Sequence, residues 1–277
     1  MKKDMKSYEQ LTFTDDFMFC KIMTKHQDLC KRLIEIILNV KVKKIKMSLT
    51  QSPIELTYDG RGIRLDVYVE DNEGTVYDIE MQTTNKRDLP QRMRYYQGMI
   101  DLNLIERGAK FSDLKKSYII FICTERPFES DLPIYTFRNV CLEDKSFLLE
   151  DDAAKVVVNA KGDTTNADPE VKALLEYINN QKIESDFTKD ISDAVNNAID
   201  HKEWRDEYMT FAMRLNEERA SGRAEGRLEG RAEEHKDILE RMIVNIMKRE
   251  NISKEEAEEK ATCSENCAEN AALSEGM

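Results

Sequence analysis

The sequence predicts an α/β fold: a mixed central sheet flanked by helices, with a helical C-terminal extension. Three observations carry that expectation. Residues 64–82 alternate apolar and polar side chains on either side of a tight turn, the period-2 pattern of a hairpin. The run Tyr118-Ile-Ile-Phe-Ile-Cys123 is short, continuous, β-branched and aromatic, as a strand covered on both faces must be. A helical stretch leads into it, which implies a parallel crossover. From Asp168-Pro169 onward the chain turns helical and stays so. The expected organisation is a core over 1–165, a helical region packing on it over 166–217, a charged repeat with an amphipathic helix over 218–250, and a short helix with a disordered tail over 251–277.

Composition narrows the classes. The chain has 277 residues, 40% hydrophobic and 35% charged, enough for a real core and for long solvated helices. A net charge of −12 argues against a protein that coats nucleic acid, because such binding rests on Lys and Arg neutralising phosphate. A bound metal or a local basic strip can still reverse the field where it counts. The cysteines at 20, 30, 123, 141, 263 and 267 have no zinc-ribbon spacing and read as free thiols in a reducing cytoplasm. No apolar run of about 18 residues marks a membrane span, and the first residues lack the apolar stretch of a signal peptide. A soluble, cytoplasmic protein is expected.

In chain order, Asp15 and Asp16 precede Phe17-Met18-Phe19 and fit carboxylates at a helix entrance. Leu29, Leu33, Ile34, Ile36, Ile37 and Val40 continue with a period near 3.6. Residues 41–46 alternate Lys with apolar side chains, as a lysine-guarded edge strand does. Tyr58-Asp59-Gly60 is a turn leading into the hairpin.

In the hairpin, Asp71-Asn72-Glu73-Gly74 supplies turn chemistry. Folding it so that apolar residues meet sets Val69 opposite Tyr77, Val67 opposite Ile79 and Leu65 opposite Met81. The same register puts Asp66 opposite Glu80 and Arg64 opposite Gln82 on the other face. Opposed Cβ atoms stand roughly 5 Å apart, so the two carboxylates repel unless a cation sits between them. The pair reads either as a solvated hairpin face or as a site for a hard divalent cation such as Mg²⁺, which takes carboxylate oxygens, water and substrate phosphate.

After Gln82 comes a polar loop, then Pro90 at the first turn of a helix reaching about residue 107. Lys86, Arg92 and Arg94 gather near that helix start. Each alone reads equally as a surface cation, but beside an acidic pair the group reads as a phosphate clamp, which in a DNA-acting protein would contact DNA phosphate. Ile134–Leu142 and Ala154–Ala160 supply further strands. Near the C-terminus, Gly222-Arg-Ala-Glu225, Gly226-Arg-Leu-Glu229 and Gly230-Arg-Ala-Glu233 form a repeat. At about 100° per residue a four-residue period drifts by only about 40°, so arginines and glutamates form separate stripes on opposite sides of a helix. The repeat reads as an oligomerisation stalk or as a charged linker. Ile238 to Met247 forms an amphipathic helix, and Ser253-Lys-Glu-Glu256 is a capping box.

The order of these blocks resembles a known family. Thr14-Asp-Asp-Phe-Met-Phe19, Gly62-Ile-Arg-Leu-Asp-Val-Tyr68 with Asp78-Ile-Glu-Met-Gln82, Arg92-Met-Arg-Tyr-Tyr96, and Tyr118–Thr124 followed by Pro127-Phe128 are similar to the PD-(D/E)XK nuclease superfamily. They are closer still to its Rpn-type branch of recombination-promoting nucleases and transposases. The resemblance implies a Mg²⁺- or Mn²⁺-dependent endonuclease acting on DNA. Asp66 and Glu80 would hold the metal, with the Met81 carbonyl alongside. Gln82 would orient the attacking water, and an upstream acid, Asp16 with Asp15 as the alternative, would help to hold metal or water. Leu65 stands where the family name has Pro, and Gln82 where it has Lys. Double-strand cutting would need two active sites, hence a homo-oligomer, a dimer or larger, built through the C-terminal helices. The competing reading is a nuclease fold that cleaves nothing and serves as an oligomeric nucleic-acid or protein binder.

Overall fold

Asp15 organises the start of the core. Its carboxylate accepts from Thr12 N at 2.8 Å, Thr12 Oγ1 at 3.0 Å and Lys6 Nζ at 2.7 Å, fixing the chain as it enters α1 (Asp16–Lys25). Phe17, Met18, Phe19, Ile22 and Met23 on that helix are buried, which is why a ten-residue helix holds here despite its length. His26 separates it from α2 (Gln27–Leu38), which ends on Asn39 in the left-handed region at φ 51°. The computed structural model describes residues 6–47, 53–54, 63–84, 87–105, 108–258 and 261. Lys86, the expected turn at Tyr58-Asp59-Gly60, and Cys263 and Cys267 lie outside the described residues.

The strands are β1 (Ile45–Met47), β2 (Pro53–Ile54), β3 (Ile63–Arg64), β4 (Val67–Asp71) and β5 (Val76–Gln82). Next come α3 (Leu89–Leu104), β6 (Ser117–Cys123), β7 (Ile134–Phe137) and β8 (Ala153–Asn159). Six of these strands form one sheet in the order β1-β4-β5-β6-β8-β7, while β2 and β3 pair separately. The β5–β6 and β6–β8 pairs are parallel, and the others in the main sheet are antiparallel. The sheet is therefore mixed, with β6 at its centre and β1 at an edge. Both placements follow the sequence: the apolar run became the buried strand, and the lysine-flanked segment became the edge.

The β4–β5 hairpin has the expected register, with Val67 opposite Ile79 and Val69 opposite Tyr77. Asp71 locks its turn, its carboxylate accepting from Glu73 N, Thr75 N and the Tyr77 hydroxyl at 2.8–2.9 Å. Gly74 takes φ 86°, where a side chain would be strained. Two points differ from the sequence reading. The strand does not run unbroken from Arg64, because the chain bends at Leu65-Asp66 and Arg64 pairs in the β2–β3 ladder. Nor is the polar face of β5 solvated: Val76, Asp78 and Glu80 are as buried as Tyr77, Ile79 and Met81. On the Asp78–Glu80 side, Leu89, Met93, Met99 and Ile100 of α3 join Ile119, Phe121 and Val157 in one apolar cluster.

Two compact units divide the chain, Met1–Tyr208 and Met209–Met277. In the first, α4 (Pro169–Asn180) and α5 (Asp186–Ile199) pack against each other and onto α1 and α2. The Tyr8 hydroxyl donates to Ala198 O at 2.7 Å across 190 residues. α6 (Lys202–Glu250) is 49 residues long and carries the Gly-Arg-Ala-Glu repeat as continuous helix. In the second unit, Ile243, Ala257 and Ala261 form a small cluster with Leu239, Ile246 and Met247. The expected capping box is present there, Ser253 N donating to Glu256 Oε2 at 3.1 Å and Glu256 N to Ser253 Oγ at 3.3 Å. Among the described residues no helix is long and apolar enough to cross a membrane.

Candidate active site

The bend at Asp66 and the end of β5 bring two carboxyls together. Asp66 N donates to Glu80 Oε1 at 2.9 Å, and Met81 N donates to Asp66 Oδ2 at 3.0 Å. Each carboxyl thus spends one oxygen on the other strand's backbone. This clasp continues the hairpin past its last ladder pair and sits at the C-terminal ends of the parallel strands β5 and β6, where α/β sheets present their ligands.

Asp78 lies two residues before Glu80 on the same face. It is fully buried, its oxygens accept no N–H or hydroxyl among the described residues, and the neighbouring Glu80 carboxyl is the side chain that acts on it through a hydrogen bond. Burial pushes the Glu80 carboxyl well above the usual range, and Asp78 pushes it further, against the Asp66 N–H and Arg92, which pull it down. Burial, then Glu80 and Asp16, raise Asp66 to about 9. Asp78 rises for the same reasons, burial first and then Asp66. Three carboxyls this close and this dry cannot all be charged without a cation, so burial and mutual repulsion favour their protonated forms.

A fourth joins them. Asp16, on the first turn of α1, is exposed and brings its carboxyl to Asp66. Ligand atoms of Asp16, Cys20 and Asp66 all lie within 4.8 Å of one another. Cys20, one turn on, donates its thiol to Asp16 Oδ1 at 3.6 Å. Asp15 is turned instead to Thr12 and Lys6, so of the two acids it is Asp16 that faces the cluster.

The basic residues divide as well. Arg92 donates to Gln82 Oε1, donates to the Tyr96 hydroxyl at 3.3 Å, and lays its guanidinium over the Phe121 ring at 5.2 Å. Arg94 stands about 200° further round the helix and is exposed. Lys86 is outside the described residues. Gln82 also donates through Nε2 to Thr84 O at 2.6 Å and Thr84 Oγ1 at 2.9 Å.

These residues fit a divalent cation. Asp16 and Asp66 bring ligand atoms within 4.8 Å of each other, and Glu80 offers a further hard oxygen donor beside Asp66. A cation there would favour the charged forms of these buried carboxyls and of Asp78 beneath them. The Cys20 sulfur is a soft donor and matches Mg²⁺ poorly. Sequence reasoning missed Asp78 and Cys20. Asp78 alternates in phase with Glu80, a visible signal, but its meaning depends on α3 covering that face. Cys20 stands four residues after Asp16, one helical turn.

A family model described as PD-(D/E)XK nuclease family transposase matches residues 13–154, a span that holds the clasp, Asp16, Arg92 and the central strand. No curated protein and no solved structure matches the chain. The matched span covers more than half of the sequence, and the chain belongs to the PD-(D/E)XK nuclease family transposases.

Proposed function

We propose that the protein is a Mg²⁺- or Mn²⁺-dependent DNA endonuclease that hydrolyses phosphodiester bonds, in the service of recombination or a mobile element. The observation that carries this is the clasp of Asp66 and Glu80 against each other beside the buried carboxyl of Asp78. A fold that only bound other molecules would gain nothing from such repulsion and could relieve it with a single amide.

Asp66 and Glu80 would hold the cation, with Asp16 as the third carboxylate. When bound, a divalent ion lowers the pKa of water and neutralises charge on the phosphate. In the reaction a water oxygen bonds to phosphorus while one P–O bond to a sugar oxygen breaks. The water's proton passes to solvent, and the departing oxygen takes one up from solvent. Gln82 can orient the water only through the remaining lone pair of Oε1, since its amide protons are directed at Thr84. Cutting both strands would take two copies of the site, which the C-terminal helices would bring together as a homo-oligomer. The thiols of Cys20, Cys30, Cys123 and Cys141 suit a reducing, cytoplasmic setting.

The test is cleavage of supercoiled plasmid with Mg²⁺ or Mn²⁺ by wild type, Asp66→Ala and Glu80→Ala. Metal-dependent nicking lost in both variants is the expected result. No cleavage with either metal, together with no calorimetric Mn²⁺ binding, would refute the proposal in favour of a non-cleaving binder.

A further inference from the structure

Hydrolysis at this site needs a positive charge that position 82 does not supply. Phosphoryl transfer puts added negative charge on the phosphate oxygens, and a preorganised cation in a dry setting is the strongest way to meet it. The Gln82 amide is neutral and already engaged at both ends. Arginine has donors only, so the amide oxygen must face Arg92 and the amide nitrogen must face Thr84. Among the described residues Gln82 therefore has no uncommitted proton for a phosphate.

Arg92 has what Gln82 lacks. It is half-buried, with its guanidinium 5.2 Å from the Phe121 ring centre and 5.6 Å from that of Tyr96. Phe121 is the register partner of Glu80 on the neighbouring strand, which places the guanidinium beside the clasp. Its attraction for Glu80 is felt in that carboxyl's acidity. Toward the described residues it commits one N–H on each terminal nitrogen, to Gln82 and Tyr96, out of about five that a guanidinium carries. The two rings and two hydrogen bonds hold the fork in one orientation before any ligand arrives, and its shape suits a pair of phosphate oxygens.

Resting on the endonuclease reading, we propose that Arg92 supplies the charge at the scissile phosphate that a lysine at position 82 would otherwise carry, with Gln82 as its positioning residue. Arg92 stays protonated throughout. It contributes charge and two directed hydrogen bonds as the water–phosphorus bond forms and the ester bond breaks, and it moves no proton.

The test is single-turnover cleavage of a labelled duplex with Mg²⁺ by wild type, Arg92→Gln, Arg92→Lys and Arg92→Gln/Gln82→Lys. DNA affinity in Ca²⁺ and Mn²⁺ affinity by calorimetry are measured on each. Arg92→Gln is expected to cut about 100-fold more slowly at saturating DNA. Its Mn²⁺ affinity is expected to equal or exceed the wild type's, because a cation beside Glu80 has gone. Arg92→Lys and the added Gln82→Lys are each expected to recover about tenfold or more of the rate. A loss confined to KM would make Arg92 a ground-state phosphate contact and overturn the proposal, as would failure of both lysines to rescue. A wild type that cleaves nothing overturns the endonuclease reading and this one with it. A cleaving wild type with an equally active Arg92→Gln overturns this one alone.

Discussion

Replacing Glu80 with glutamine is expected to stabilise the metal-free protein while abolishing its chemistry. The amide oxygen can still accept the Asp66 N–H that Glu80 Oε1 accepts at 2.9 Å, so the clasp survives and only the charge is lost. Two side chains at i and i+2 on one strand face stand about 6.6 Å apart. At an effective dielectric of about 20, repulsion between ionised Asp78 and ionised Glu80 at that distance is about 2.5 kcal/mol, an upper limit reached only as pH rises through both raised pKa values. Attraction between Glu80 and Arg92 offsets part of it, leaving about 1–2 kcal/mol, or a melting temperature about 2–8 °C higher for a unit of this size. The sign with pH follows from burial and Asp78 raising the Glu80 pKa. The folded protein holds a proton that the unfolded chain releases, so stability falls as pH rises above the unfolded value and continues to fall up to the folded one. Glutamine removes that loss, and the gain is expected to be small at pH 5 and larger at pH 8. The assay is thermal unfolding in EDTA at both pH values, repeated with Mn²⁺, which should raise the wild type and leave the variant little changed. A variant that melts below wild type at pH 8 in EDTA, or whose advantage shrinks with pH, would refute the reasoning.

Three further outcomes are expected. Asp15→Ala loses the bonds to Thr12 and Lys6 and costs about 1–2 kcal/mol while leaving Mn²⁺ affinity within about twofold, whereas Asp16→Ala weakens Mn²⁺ about tenfold or more; unfolding and calorimetry on the two separate the roles. Gly162→Ala destabilises by about 1–3 kcal/mol in urea, because a Cβ there would lie 2.6 Å from Leu132 O and from Pro133 Cα, both backbone atoms. Gly226→Ala, with nothing within 4 Å of the new carbon, strengthens α6 by about 1 kcal/mol, read as higher helicity and melting temperature by circular dichroism.

What the sequence made legible was whatever local spacing controls. The hairpin register follows from alternation about the Asp71–Gly74 turn, and β6 from a run too apolar for any exposed face. The Ser253 capping box needs only four residues. The site was legible as Asp66 facing Glu80 and no further. Alternation reports that two faces differ, not that one meets solvent. Only the return of α3 over β5 buries Asp78 beside Glu80 and makes its carboxyl significant. The bend at Leu65-Asp66 depends on Arg64 pairing with a different strand, a contact with no local signature. Arg92 and Arg94 look equivalent in a list of basic residues, but the helix phase turns one to Gln82 and the other outward. The Gly-Arg-Ala-Glu repeat, with three glycines and two self-repelling stripes, left stalk and linker open, and the chain is helical through it.

The most direct measurement is anomalous diffraction from crystals of the protein soaked in Mn²⁺. A peak bounded by the carboxylates of Asp66 and Glu80, within reach of Asp16 and absent in Glu80→Gln, is the expected result. Crystals at saturating Mn²⁺ with no peak between those two carboxylates would contradict a metal-dependent nuclease site in this fold.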